Sequence, residues 1–263
     1  MLGAIAGDVI GSVHEFAATK STDFELFVPA SRFTDDTVLT IAVADCLLNG
    51  RDYVDAFHEY FQRYPNAGYG QRFFSEAGRR DAYNSYGNGS AMRVAAIAHA
   101  FDTLDDVLAH AAASAEVTHN HPEGVKGAQA TAAAIYMARC GDSKAQIRAS
   151  IERMFQYDLS HTIDDIRPKY EFDETCQRTV PEAFAAFLDS SGYEEAVRNA
   201  ISLGGDADTL ACITGGIAEA HYGGVPPDIA ARTLAVLDDR LRGVFDAFVS
   251  RFGGSPRRQA QVS

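Results

Sequence analysis

Apolar positions recur three and four residues apart through most of this chain, the interval that keeps one face of an α-helix out of water. Val38, Ile41 and Ala42 follow it, with Asp45 continuing the row, and so do Leu210, Ile213, Ile217 and Ala220. The pattern predicts helices over 3–13, 36–49, 51–62, 70–80, 90–101, 104–115, 123–140, 143–154, 179–189, 192–203, 207–222 and 227–250. Alanine runs at 111–113 and 132–134 strengthen it, and no alternation of Val, Ile and Thr is long enough to predict a strand. The expected fold class is all-α. Residues 156–178, rich in Asp, Tyr and Thr and carrying Pro168, lack the helical interval and read as a lid or a packed surface excursion.

With 263 residues, 46% of them hydrophobic, the chain can bury a sizeable core. No composition break divides it, so one domain is expected over 1–252. A flexible Gly/Ser/Pro/Arg/Gln-rich tail should follow over 253–263, with Arg257 and Arg258 solvated. The apolar start, Met1 to Asp8, has no basic leader and is interrupted by Asp8, so it resembles neither a signal peptide nor a membrane span. Cys46, Cys140, Cys176 and Cys212 are widely spaced with no Cys-x-x-Cys pair, which fits buried reduced thiols in a cytoplasmic protein. A net charge of −13 opposes non-specific attraction to nucleic acid or anionic lipid, while a small anionic ligand could still be held by local groups.

Two acidic clusters stand out: Thr34-Asp35-Asp36-Thr37 and Gly204-Gly205-Asp206-Ala207-Asp208-Thr209. Each lies where a loop enters an apolar helical stretch. Either alone is explained by ordinary capping, since Asp and Thr satisfy free N–H groups and favour the positive end of the helix dipole. Capping needs one oxygen per helix, however, and each cluster supplies two carboxylates besides hydroxyls. The surplus suggests a two-metal centre. Carboxylates at consecutive helical positions point about 100° apart and serve neighbouring ions more readily than they chelate one. An all-oxygen donor set suits Mg²⁺, Mn²⁺ or Ca²⁺ rather than zinc. Glu15, read as the end of the first helix where a negative charge is unfavourable, is a candidate fifth carboxylate; Gly7 and Gly11 beside it permit close backbone packing.

Two further motifs are polar. Asn84-Ser85-Tyr86-Gly87-Asn88-Gly89-Ser90-Ala91-Met92-Arg93 is a Gly/Asn/Ser-rich loop feeding a helix, a pattern that can cradle phosphate with backbone N–H groups or simply turn and cap. Val117-Thr118-His119-Asn120-His121-Pro122 precedes a long helix with Pro122 suited to its first position, so Asn120 or His121 reads as a cap and the His pair as ligand-contacting before metal-binding.

In this order the motifs resemble the ADP-ribosylglycohydrolase family, which includes the dinitrogenase-reductase-activating glycohydrolases. They are Gly-Asp-x-x-Gly-x-x-x-Glu-Phe, Thr-Asp-Asp-Thr, Ser-Tyr-Gly-Asn-Gly-Ser-Ala-Met-Arg, Thr-His and Gly-Gly-Asp-x-Asp-Thr, and the resemblance runs from Gly3 to Gly224. It implies a compact, orthogonal all-α bundle with a dinuclear Mg²⁺ or Mn²⁺ site at helix N-termini, in an enzyme that hydrolyses the glycosidic bond between ADP-ribose and an acceptor. The metal ligands it implies are Thr34, Asp35, Asp36, Asp206, Asp208 and Thr209. Glu15, Asp35 and Asp36 would be catalytic, and Ser85, Tyr86, Gly87, Asn88, Gly89 and His119 would bind substrate. The implied partner of this monomer is an ADP-ribosylated protein or small ADP-ribose conjugate, with an ADP-ribosylated nucleotide left open. One departure concerns linkage specificity: where some arginine-specific members carry an acidic residue, in the segment matching Pro65 to Gly70, the nearest residue here is Asn66. A non-catalytic ADP-ribose-binding or structural member of the fold, and a metal-dependent phosphoesterase, are the alternatives.

Overall fold

The computed structural model describes residues 1–76 and 80–253. Among the described residues every regular element is a helix, apart from a single bridge between Gly87 and Thr175. In chain order the helices are α1 Leu2–Gly11, α2 Asp35–Asn49, α3 Tyr53–Arg63, α4 Gln71–Glu76, α5 Gly89–Met92, α6 Ala95–Ala100, α7 Leu104–Glu116 and α8 Pro122–Arg139. They continue as α9 Lys144–Phe155, α10 Ile163–Ile166, α11 Cys176–Leu188, α12 Tyr193–Ile201, α13 Ala207–Tyr222, α14 Pro227–Val236 and α15 Asp239–Phe252.

Helix α13 is the hub. Its residues from Ala207 to Ala218 are all buried, and it packs against α1, α8, α11 and α12. A helix so enclosed must be small and apolar on every side, and Ala, Gly, Thr, Cys and Ile dominate here. Its contact with α1 is made by backbone. A Cβ on Gly3 would lie 2.3 Å from the Gly215 carbonyl oxygen, one on Gly7 2.0 Å from that of Ala211, and one on Gly11 2.5 Å from the Cα of Asp208. Glycines four apart thus form a stripe along α1 that lets the two helices touch. Tyr193 on α12 ties the pair by donating to the Gly3 carbonyl at 2.8 Å. This close approach carries Asp8 of α1 and the start of α13 to the same place.

The observed elements depart from the sequence reading at four points. The helix expected over 90–101 is interrupted at Arg93 and Val94, because the Met92 carbonyl is used by Thr40 Oγ1 and Cys212 Sγ, each at 3.3 Å, across the core. The helix expected over 227–250 is two helices, since Leu237 is extended and Asp238 caps α15 by accepting from the backbone N–H of Arg240 and Leu241 at 3.0 and 2.9 Å. Helix α11 begins at Cys176, one turn before 179, and holds Pro181 in its interior. Helix α1 ends at Gly11, so Glu15 lies beyond the helix in the following turn.

The helix expected over 70–80 is described as far as Glu76, with 77–79 outside the described residues, and the tail expected over 253–263 lies outside them from 254 onward. Residues 156–178 contain the one-turn α10 and bring Asp173 to Thr175 against the 85–89 loop. All four thiols are free; Cys46, Cys176 and Cys212 are buried and Cys140 is half-buried. No helix among the described residues is long and apolar enough to cross a membrane.

Candidate active site

Asp8 organises the first acidic cluster. Its buried carboxylate accepts the backbone N–H of Thr34 at 3.0 Å and of Thr37 at 3.1 Å, together with both threonine hydroxyls, that of Thr34 at 2.7 Å. Thr34 Oγ1 in turn accepts the N–H of Asp36 at 3.3 Å and caps α2. The expected cap therefore exists, and it consumes neither Asp35 nor Asp36. Both carboxylates are left to face the cleft.

The second cluster follows two left-handed glycines, Gly204 at φ +71° and Gly205 at φ +77°, a conformation that residues with a Cβ rarely adopt. The turn sets Asp206 as the cap residue of α13 and Asp208 in its first turn. Asn88 Nδ2 donates to Asp206 Oδ2 at 2.7 Å and to Thr179 Oγ1 at 3.0 Å, so the Gly/Asn loop is fastened to the acidic cluster. Thr209 Oγ1 donates to Asp36 Oδ2 at 3.3 Å and joins the two clusters directly.

Ligand-competent oxygens of Glu15, Asp206 and Asp208 lie within 4.8 Å of one another. Asp36 Oδ1 is buried with no hydrogen-bond partner among the described residues. A buried, orphaned carboxylate oxygen is costly unless something positive reaches it. The donor set, hard carboxylates with two threonine hydroxyls, fits a divalent cation that prefers oxygen. Without one the carboxylates resist ionisation. Asp35 and Asp36 are raised well above the usual range by burial first, then by Asp8 and neighbouring Asp residues; Asp208 is raised by burial, then by Asp206 and Asp36. Glu15 is pushed up to about 7 by burial, then by Asp206 and Glu174, with Arg32 opposing.

These groups line a cleft of about 550 Å³ that also receives Ser85 to Gly89, Arg93, His119 and Phe172 to Thr175. The loop is internally braced: the Gly87 N–H donates to Ser85 Oγ at 3.1 Å and the Asn88 N–H to the Glu174 carbonyl at 2.8 Å. Cys176 N–H closes the other side on the Tyr86 carbonyl at 2.9 Å. Asn88 thus spends its N–H and side-chain amide within the protein, and it serves the site as a brace. Tyr86 is exposed and meets His121 edge-on, with ring centroids 5.3 Å apart. His121 itself caps α8 by accepting the Glu123 N–H at 3.1 Å.

His119 is buried against the loop, its Nε2 only 3.2 Å from where a Cβ on Gly89 would stand. Gly68, at φ +106°, brings the 65–70 segment to Asp35, since a Cβ there would be 3.5 Å from Asp35 Oδ1. Asn66 is exposed outside the cleft lining. The structure brings the two sequence-predicted clusters together, along with Asp8, Thr37, Glu174 and Arg93, which sequence reasoning passed over. For Asp8 a signal existed, an acidic residue set inside a Gly-flanked apolar helix.

A family model described as ADP-ribosylglycohydrolase matches residues 1–258. ADP-ribosylhydrolase ARH3 of Mus musculus is 27% identical over 305 aligned positions, which cover 85% of this chain and 82% of its own. ADP-ribosylarginine hydrolase Tri1 of Pseudomonas putida (strain GB-1) is 25% identical, covering 87% of this chain and 71% of its own. A solved chain described as ADP-ribosylglycohydrolase-related protein complex superposes with a TM-score of 0.71 at 25% identity, over 95% of this chain and 96% of that one.

Proposed function

The chain belongs to the ADP-ribosylglycohydrolase family and is an ADP-ribosyl glycohydrolase, and we propose that it works as a metal-dependent hydrolase releasing ADP-ribose from a modified protein side chain or a small conjugate. One observation carries the metal assignment: the two acidic clusters, 173 residues apart in sequence at Asp36 and Thr209, meet at a buried carboxylate whose Oδ1 has no hydrogen-bond partner among the described residues. Thr34, Asp35, Asp36, Asp206, Asp208 and Thr209 would hold two divalent cations, Mg²⁺ or Mn²⁺. Bound there, such cations supply Lewis acidity and orient hydroxyl groups.

The remaining work belongs to side chains. As the bond to the distal ribose C1″ breaks, positive charge develops on the sugar and a proton must reach the leaving group. Glu15, half-buried at the cleft face beside Asp206 and Asp208, is suited to pass that proton between water and the leaving atom. Asp35 and Asp36, ionised once cations are bound, would offset the metals' positive charge, so that the charge developing on the sugar is not repelled. The 85–89 loop and His119 hold the remainder of the ADP-ribose.

Asp206→Ala and Asp35→Ala should each abolish metal binding and hydrolysis while the helical circular dichroism persists; activity surviving in either after rigorous chelation overturns the two-metal reading. Because one relative is named for ADP-ribosylarginine, arginine-linked substrate is the first arm of the assay, followed by serine-linked, O-acetyl and nucleic-acid-linked ADP-ribose. Release of intact ADP-ribose supports glycosidic cleavage. Release of AMP would make the protein a phosphoesterase, and binding of metal and ADP-ribose without turnover would make it a binding module.

A further inference from the structure

Arg93 occupies the break between α5 and α6, lines the cleft and is fully buried. Its Nη2 donates to the Ser114 carbonyl at 2.6 Å and to Thr118 Oγ1 at 2.8 Å, and its guanidinium lies over the Phe57 ring, 4.4 Å from the centroid. Nε and Nη1 have no hydrogen-bond partner, a carboxylate included, among the described residues. Burial lowers its pKa only to about 10, so it stays charged at neutral pH. A buried cation without a carboxylate partner is costly, and besides lining the cleft this one reaches it through a hydrogen-bonded neighbour.

That neighbour is Thr118, whose Oγ1 also stands 2.7 Å from His119 Nδ1. A hydroxyl has one proton to give. Since Oγ1 already accepts from Arg93, two arrangements remain: the hydroxyl donates to Nδ1, or Nδ1–H donates to the oxygen. The first satisfies every group, because the hydroxyl proton has no other acceptor among the described residues. Donation by a guanidinium also polarises the O–H bond outward, making it a better donor and a poorer acceptor. The ring is held neutral, its pKa drawn well below the usual value by burial first and then by Arg93 and Arg72. A neutral imidazole that accepts at Nδ1 carries its proton on Nε2.

We propose that Arg93 and Thr118 are positioning residues that lock His119 as the Nε2–H tautomer, aiming a hydrogen-bond donor past Gly87 and Gly89 at an oxygen of the bound ADP-ribose. This rests on the ADP-ribose reading of the cleft. A neutral donor suits the place, since a second mobile proton beside the carboxylate cluster would compete with Glu15. The arrangement separates binding from chemistry: Arg93 and Thr118 touch no reacting atom, yet they decide which face of the histidine the ligand meets.

The test is made on the full-length protein labelled with ¹⁵N-histidine. Long-range ¹H–¹⁵N correlation spectra, assigned with His119→Gln, should show His119 protonated at Nε2 and accepting at Nδ1. Thr118→Val should mix the tautomers and weaken ADP-ribose binding about tenfold, the worth of one well-placed hydrogen bond, with KM rising more than kcat falls. Thr118→Ser should restore both tautomer and affinity, which a purely structural role for the side chain does not require. An Nδ1–H tautomer in the wild type overturns the proposal and needs no variant to be stable. If the wild type binds ADP-ribose and Thr118→Val binds it equally well, the positioning role falls while the functional reading stands. If the wild type binds no ADP-ribose, the functional reading falls and takes the assigned ligand with it.

Discussion

Asp8 holds Thr34 at two points, accepting its backbone N–H at 3.0 Å and its hydroxyl at 2.7 Å. A residue inside α1 thereby sets the geometry of the loop that presents Asp35 and Asp36. Four donors converge on this one carboxylate, and an amide in its place has one acceptor oxygen and an NH₂ that would face donors. Asp8→Asn is expected to lower metal affinity by about ten- to a hundredfold, as loss of a ligand-orienting partner does, and to lower Tm. Calorimetric titration with Mn²⁺ and a thermal melt check both; unchanged affinity would show that the loop holds its shape without Asp8.

Gly7 permits the backbone contact between α1 and α13. A Cβ there would stand 2.0 Å from the Ala211 carbonyl oxygen, with backbone on both sides and nothing flexible to yield. Gly7→Ala should cost about 3 kcal/mol or more, the upper range for overpacking. Urea denaturation measures this, and a loss under about 1 kcal/mol would mean that the helices can separate cheaply.

The cleft carboxylates link pH to stability. Asp35, Asp36, Asp208 and Glu15 all have folded-state pKa values above their unfolded ones, Glu15 at about 7. Their stabilising contribution is therefore complete below the unfolded carboxylate range, near about 4. It is lost as pH rises through the folded values, which for Glu15 means by about 7. Metal-free protein should melt at a lower temperature at pH 8 than at pH 5, and Mg²⁺ or Mn²⁺ should raise Tm more at pH 8, where no proton competes. Asp36→Asn should flatten the metal-free profile. A metal-induced shift in Tm that is the same at both pH values contradicts the linkage.

Asn88 fastens the loop to the second cluster through Asp206. Asn88→Ala leaves Asp206 Oδ2 without that donor and frees the loop from Thr179. Metal affinity should fall about tenfold and KM should rise. A variant with wild-type metal titration and altered KM alone would confine Asn88 to the substrate side.

Much of the candidate site was legible because its chemistry is written in residue type. Two carboxylates and a threonine at each of two helix starts exceed what capping needs, whatever the fold. Thr34 as a cap, His121 as a cap and the permissive glycines at 204 and 205 all follow from local backbone preferences, and the structure has them. Asp8 left a signal, an acidic residue inside a Gly-flanked apolar helix, but its role could not be read, because that role lies in four bonds to a loop 26 to 29 residues away. Arg93 misled the helix reading for a related reason. Ser90 to Ala100 are adequate helix formers, and at the break the Met92 carbonyl is taken by donors of Thr40 and Cys212 from across the core.

By itself, then, the sequence determined that the chain would be helical, that its two acidic clusters would begin helices, and that hard cations would suit them. These are consequences of periodicity and of the chemistry of single side chains. Only the tertiary structure decided that the clusters meet, with Thr209 reaching Asp36 and Asn88 reaching Asp206, because that depends on α1 and α13 touching through glycine. It also decided that Glu15 stands free of its helix, and that His119 meets the cleft with a ring set from behind by Thr118 and Arg93. Contacts between residues distant in sequence carry no local signature; they arise when packing brings buried polar groups together and each must find a partner.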